Sequence, residues 1–312
     1  MEEQFKKREV FNFEGGKVEI VDVKPEHQKT EVPVMVIPGW AGTLDGYKDF
    51  ILELAQEGRE ALGIGAMHGI EHKFTEDNFK NISDAILRHI AALNEVVEAK
   101  GIKEFDVAAH SMSAITAAFY AKLFPGKIRN FFPINPAGMM GKDSFWRMFR
   151  DFQKDAKAQE EESAKVGNLA QAKEMARGVS KAIRQHPIKI VREVFAMANM
   201  QIHDILKELH EQGVGIVVIH SADDRGFPME RIQETSMPEE EDVYIESPDA
   251  STEELAAILE EPGETTKISL MKGFISTKGL HARVCLDGKA IGKWVDHLLT
   301  ALEKKKEKNG EI

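Results

Sequence analysis

The stretch "VAAHSMSAITAAFYAKLF", residues 107–124, changes its periodicity in the middle. Its first residues continue the apolar, β-branched and small-residue run "FDVAAH" (105–110), whereas "AITAAFYAKLF" carries the spacing of a helix. Ser111 therefore stands where a strand hands over to a helix. A serine in that place has two readings. It can cap the helix by accepting an amide of its first turn, or it can be a nucleophile held on the turn.

Working outward, the same alternation recurs. "VPVMVIPG" (32–39), "ALGIGAM" (61–67), "RNFFPINPAG" (129–138) and "VGIVVIHSADD" (214–224) read as buried strands. "YKDFILELAQEG", "NISDAILRHIAALNEVVEAKG" and "QIHDILKELHEQG" read as helices between them. "VFNFEGGKVEIVDV" reads as a hairpin turning at Gly15-Gly16, and "TKISLMKG" (266–273) as the last strand. The acidic segment between residues 238 and 263 reads as a surface excursion with one helix, and "KAIGKWVDHLLTALEKKKEK" as a closing helix. Strands alternating with helices predict an α/β fold with a mostly parallel sheet flanked by helices. The rhythm breaks between residues 142 and 200, which are rich in Ala, Lys, Glu, Met and Gln and hold no strand-like run. Three segments follow: a core over 1–141, a helical insertion over 142–200, and the rest of the core over 201–312.

Composition narrows the functions. A chain of 312 residues suits one large α/β core with an added subdomain. Hydrophobic residues make up 42% and charged residues 30%, with no apolar run near the ~18–20 residues a membrane span needs. "MEEQFKKREV" lacks the basic-then-apolar order of a secretory signal, so a cytoplasmic location is expected. A net charge of −11 argues against nucleic acid as a partner. The single cysteine, Cys285, excludes an intrachain disulfide and any cysteine-rich metal site. "GMMGKDS" and "GIGAMH" lack the glycine spacing of nucleotide-binding loops, so no cofactor is expected.

In an open parallel sheet, ligands sit beyond the carboxyl ends of the strands. Four polar stretches meet that condition: "IPGW" (37–40), "AHSMSA" (109–114), "SADDRGFP" (221–228) and "STKGLHA" (276–282). A serine attacks a carbonyl usefully when a neighbouring base takes its proton and a third group orients that base. Ser111, His281 and an aspartate of "ADD" can supply the three parts, with Asp223 and Asp224 both available. His281 is the one histidine of eleven that directly follows the last strand candidate.

These stretches resemble the α/β-hydrolase family. Ala109-His110-Ser111-Met112-Ser113 is similar to its Gly-x-Ser-x-Gly nucleophile elbow, with two small residues replacing the glycines. The family's chain order of oxyanion loop, serine, acid and histidine recurs as "PGW", Ser111, "ADDRGFP" and "GLHA", over roughly residues 30–140 and 201–300. The resemblance implies Ser111 as nucleophile, His281 as base, and the backbone N–H groups of Trp40 and Met112 as the oxyanion hole. It also favours Asp224 as the acid, because Asp224 precedes Pro228 in the family's D-x-x-x-P spacing. An insertion at 142–200 is where relatives carry a helical cap. The implied reaction is hydrolysis of a carboxylic ester, or a thioester, of a small or medium apolar substrate. A carbon–carbon bond hydrolase or an amidase would use the same three residues, and a silent hydrolase fold that binds a ligand or a partner protein would have no need of all three.

Two further features bear on the substrate. "SFWRMFRDF" opens the insertion with Phe145, Phe149 and Phe152 near one helical face and Trp146 and Met148 around them. Most of these should pack the insertion onto the core, while Trp146 and Phe149 are candidates to meet an apolar acyl or alkyl group. "HGIEH" (68–72) spells a zinc-binding H-x-x-E-H motif. That motif needs a helix, and this stretch directly follows a strand and contains Gly69, so His68 and His72 are expected at a pocket rim and no metal is expected.

Overall fold

The computed structural model describes residues 1–40, 42–65, 67, 70–71, 82–165, 177, 183–236, 243–246, 272–277 and 279–309. A short helix, α1 (Glu2–Lys6), leads into an antiparallel hairpin, β1 (Glu9–Phe13) and β2 (Gly16–Val23). Then come β3 (Val34–Ile37), α2 (Lys48–Gln56), β4 (Ala61–Ile64), α3 (Asp84–Ala99), β5 (Phe105–His110), α4 (Met112–Leu123) and β6 (Ile128–Ile134). Among the described residues, α5 (Phe145–Lys165) and α6 (Pro187–Asn199) follow, and then α7 (His203–Glu211), β7 (Gly215–Ser221) and α8 (Met229–Ser236). The chain ends with β8 (Val243–Glu246), β9 (Lys272–Thr277), α9 (Arg283–Leu286) and α10 (Gly288–Asn309).

Successive residues of a strand face opposite sides of a sheet, so strands that are apolar throughout must be covered on both. β3 does this with Met35 and Ile37 in one core layer and Val34 and Val36 in the other. β6 divides Phe131 from Phe132 in the same way, both fully buried. Fully burying side chains of this size contributes roughly 1.5–3 kcal/mol each. The first layer is completed by apolar residues of α3, α4 and α7, the second by those of α2 and α10. Helices on both faces hold the sheet as an internal wall.

The strand order is β1-β2-β4-β3-β5-β6-β7-β9-β8, parallel from β4 to β8 and antiparallel at β1 and β2. From β3 the chain moves outward to β4, then returns to lay β5 on the other side of β3. The winding reverses between β3 and β5, the position where doubly wound sheets open a crevice. The loop after β3 and Ser111 after β5 meet there.

The end of the sheet differs from the reading of the sequence. The last described strand is Lys272–Thr277, which shares residues 272–273 with the expected stretch and runs four residues further, while residues 266–271 lie outside the described residues. Within the acidic segment the sequence hid a strand, β8, which pairs with β9 as the sheet's edge. Charged flanks are what an edge strand tolerates. The helix expected in that segment lies outside the described residues. Among the described residues no helix is long and apolar enough to cross a membrane.

Candidate active site

Ser111 holds φ +55° and ψ −124°, a backbone conformation that non-glycine residues adopt at a cost of about 1–3 kcal/mol. Its side chain makes no capping bond to α4, so the helix-cap reading does not describe it. The turn is fixed from three sides. The Ser111 amide donates to the Ile134 carbonyl at 2.9 Å, and the Ser111 carbonyl accepts from the amides of Ala114 and Ala137 at 3.1 Å each. Ser113, standing where the resembled family has a glycine, donates its hydroxyl to the Pro38 carbonyl at 2.5 Å. The departure from the family pattern thus ties the elbow to the loop after β3. Gly39 of that loop lies so close that a Cβ there would come within 2.4 Å of His110 Nδ1.

Ser111 Oγ is 3.0 Å from His281 Nε2, and His281 Nδ1 is 2.7 Å from Asp224 Oδ2. All three residues are buried. The other Asp224 oxygen accepts the Phe227 amide at 2.9 Å, which fixes the carboxylate's orientation. Burial disfavours its charge, but the charge and hydrogen bond of His281 outweigh that and hold the Asp224 carboxyl below the usual range. Burial likewise pulls the His281 imidazole down, and the charge and hydrogen bond of Asp224 overcome it, leaving His281 above the usual histidine value. Asp223 is turned elsewhere: its carboxylate accepts the Gly279 amide at 3.1 Å and its own amide donates to the Gly279 carbonyl.

Behind the three lies a polar scaffold that the sequence did not announce. The His281 carbonyl can only accept, so His110 carries its proton on Nε2 and donates to it at 2.9 Å. His110 Nδ1 then accepts the Tyr47 hydroxyl at 2.5 Å, and Tyr47 in turn accepts the Gly39 amide at 2.8 Å. Burial and the neighbouring His281 drive the His110 pKa down to about 3, so it stays neutral. Asn135, the other described non-glycine residue with positive φ, donates to the His281 carbonyl at 2.5 Å and accepts the Ser221 amide at 2.6 Å. Its one sequence signal is an Asn-Pro pair at a strand's carboxyl end. The buried Glu193 of α6 accepts the Trp40 indole N–H at 3.0 Å and lies 3.3 Å from His89 of α3.

A cavity of about 290 Å³ opens over Ser111 and His281, lined by Gly39, Trp40, Phe152, Asp155, Ile183 and Val194 among others. Trp40 reaches it from the loop after β3. Met112 is the first residue of α4, where a helix leaves its N–H groups without intrahelical acceptors. Trp146 does not join the lining: it is 75% exposed. It stands two and a half helical turns before the buried Asp155, which puts the two on opposite sides of α5. His68, His72 and the side chain of Phe149 lie outside the described residues. Glu71, the acid of "HGIEH", is ion-paired with Lys189 of α6 and Arg88 of α3.

The sequence matches no family model and no curated protein. The fold, however, is that of the α/β-hydrolases. The chain is similar to a carboxylesterase of the ammonia-oxidizing thaumarchaeon Nitrososphaera gargenis, with TM-score 0.56 and 16% identity over 95% of this chain and 99% of that one. It is similar to the thioesterase domain from the curacin biosynthetic pathway, with TM-score 0.56 and 13% identity over 93% and 98% of the two chains. A bromoperoxidase from Bacillus anthracis aligns with TM-score 0.57 and 12% identity over 94% and 100%. One fold carries these differently named activities, so function has to be argued from the site.

Proposed function

We propose that this chain is a serine hydrolase that cleaves the carboxylic ester, or thioester, of a small or medium apolar substrate through an acyl-enzyme. The observation that carries the reading is the buried line from Ser111 Oγ through His281 to Asp224, set on a strained turn at the floor of a mostly apolar cavity. Ser111 Oγ attacks the substrate carbonyl carbon as its proton passes to His281 Nε2. Asp224 holds the ring by Nδ1–H and offsets the charge of the imidazolium. The amides of Met112 and Trp40 stabilise the oxyanion. As the tetrahedral intermediate collapses, the bond to the leaving group breaks and His281 returns the proton to it. Water then attacks the acyl-enzyme, gives its proton to His281, and releases the acid as Ser111 recovers its own.

Residues 142–200 act as a helical cap on this reading. Support comes from α5 and α6, which supply Phe152, Asp155 and Val194 to the cavity. A reducing, cytoplasmic setting is in keeping with the lone Cys285, which is buried and whose thiol is pushed up to about 12 by that burial.

The test is labelling by a fluorophosphonate, with hydrolysis of short p-nitrophenyl esters, thioesters and anilides read alongside. Wild type should be labelled at Ser111 and turn over the esters. Ser111→Ala should fold, lose the label, and lose turnover by at least about 10⁴-fold. Undiminished labelling of that variant would overturn the assignment.

A further inference from the structure

Helix α5 comes down on the site with a single face. Met148, Phe152 and Asp155 recur on it at the four- and three-residue spacing of one helical side. The Phe152 ring stands edge-on to Phe227 and to His281, with centroids 5.3 Å and 5.2 Å away. Gly226 makes the room: a Cβ there would lie 2.4 Å from the Phe152 ring. One turn further on, Asp155 is buried to 2% exposure, lines the cavity with Ser111 and His281, and accepts the Arg225 amide at 3.4 Å. The charge of His281, across the same cavity, favours its ionised form. A carboxylate from the insertion therefore holds the chain next to the acid and lines the same cavity as the base.

On the serine-hydrolase reading above, we propose that Asp155 is a positioning residue for His281. Its carboxylate grips the backbone beside Asp224 and adds a second negative charge toward the imidazolium. The base is then set to full strength only while α5 is seated on the core.

The charges around the pair are accounted for. Burial above all, and then the like charge of Asp224, push the Asp155 carboxyl up to about 6, against the pull of His281 and the Arg225 amide. Asp155 acts on His281 in the same sense as Asp224, raising it. His110, whose ring centre is 4.8 Å from that of His281, stays neutral, and burial depresses His220. Arg147 of α5 is bound to Asp143 and Asp151 and also reaches the Gly226 carbonyl, while the Arg225 side chain is exposed. Tyr47 and Cys285, behind His110, keep their protons.

The sign of the effect follows. Attack needs neutral His281, so the rate rises with pH through the His281 pKa. Removing the Asp155 charge lowers that pKa and moves the acid limb to lower pH. The experiment measures fluorophosphonate inactivation of the full chain from about pH 5 to about pH 9 for wild type, Asp155→Asn and Asp155→Glu. Asp155→Asn should shift the midpoint down by about half a pH unit or more and lower the plateau, and Asp155→Glu should keep the wild-type midpoint. A folded Asp155→Asn with an unmoved midpoint would overturn the proposal. Should Asp155→Asn not fold, Asp155→Glu decides: a midpoint below wild type overturns the proposal, and a kept midpoint with a lower plateau supports it. A wild-type chain that never labels at Ser111 removes the hydrolase reading, and this inference falls with it.

Discussion

Asp223 and Asp224 are neighbours in the chain whose carboxylates work in different places: Asp224 lies 2.7 Å from His281 Nδ1, while Asp223 accepts the Gly279 amide at 3.1 Å. Asp224→Asn should therefore lower kcat/KM by about 10³–10⁴-fold, because an amide can orient the wrong tautomer of the base. Asp223→Asn keeps an acceptor for Gly279 and should cost less than about tenfold. Steady-state kinetics on one activated ester separates the two. The reverse ordering would reassign the acid.

What was legible in the sequence is local in the chain. The change of period at Ser111 located the turn, and the resemblance of Asp224-x-x-x-Pro228 to the family's acid segment favoured the aspartate that lies 2.7 Å from His281 Nδ1. The unannounced residues are polar ones whose partners lie far along the chain. Tyr47 meets His110 63 positions away, Asn135 meets His281 across 146, and Trp40 meets Glu193 across 153. No periodicity marks a buried polar side chain whose partner is on another element. β8 was missed for the opposite reason, its four residues lying inside an acidic run. Trp146 was misplaced because composition does not say which side of a helix faces the core.

The bond between Trp40 and Glu193 joins the loop that carries the Trp40 amide to α6. Trp40→Phe keeps an aromatic side chain but replaces the indole with a smaller ring that has no N–H, leaving one oxygen of a buried carboxylate without that donor. The expected result is a fall in kcat of about tenfold or more with a smaller change in KM, since an amide in the proposed oxyanion hole acts chiefly in the transition state. A rise in KM alone would show that the indole serves substrate binding instead.

At the opposite end of the strands from Ser111, a buried ionic cluster fixes α10. Arg59 donates to Asp296 at 2.8 Å, to Glu303 at 2.7 Å and to Thr300 at 2.9 Å, and Arg129 joins Glu303 to the buried Asp106. Removing Arg59 leaves the buried Asp296 with Lys29 alone and Glu303 with Arg129 alone, so Arg59→Ala should cost about 3 kcal/mol in urea unfolding. Fluorophosphonate labelling of the folded variant should match wild type. A loss below about 1 kcal/mol would mean that Lys29, which also pairs with Asp296 at 2.9 Å, and Arg129 compensate the two carboxylates without Arg59.

The cavity sets the final expectation. Its volume of about 290 Å³ lies near the lower end of small-molecule pockets, and its walls include Ile183 and Val194 from the insertion. Each methylene of an acyl chain moved from water into such walls gains about 0.8 kcal/mol, so two added carbons should raise kcat/KM by about tenfold until the space is filled. Ile183→Ala and Val194→Ala enlarge the pocket without touching Ser111, His281 or Asp224. Each should move the optimum to a longer acyl chain while leaving the rate on an acetyl ester within about threefold. The measurement is kcat/KM across a series of linear p-nitrophenyl esters. If wild type and both variants peak at the same chain length, the acyl group does not lie along the insertion, and selectivity has to come from the core side of the cavity at Gly42 and Tyr47.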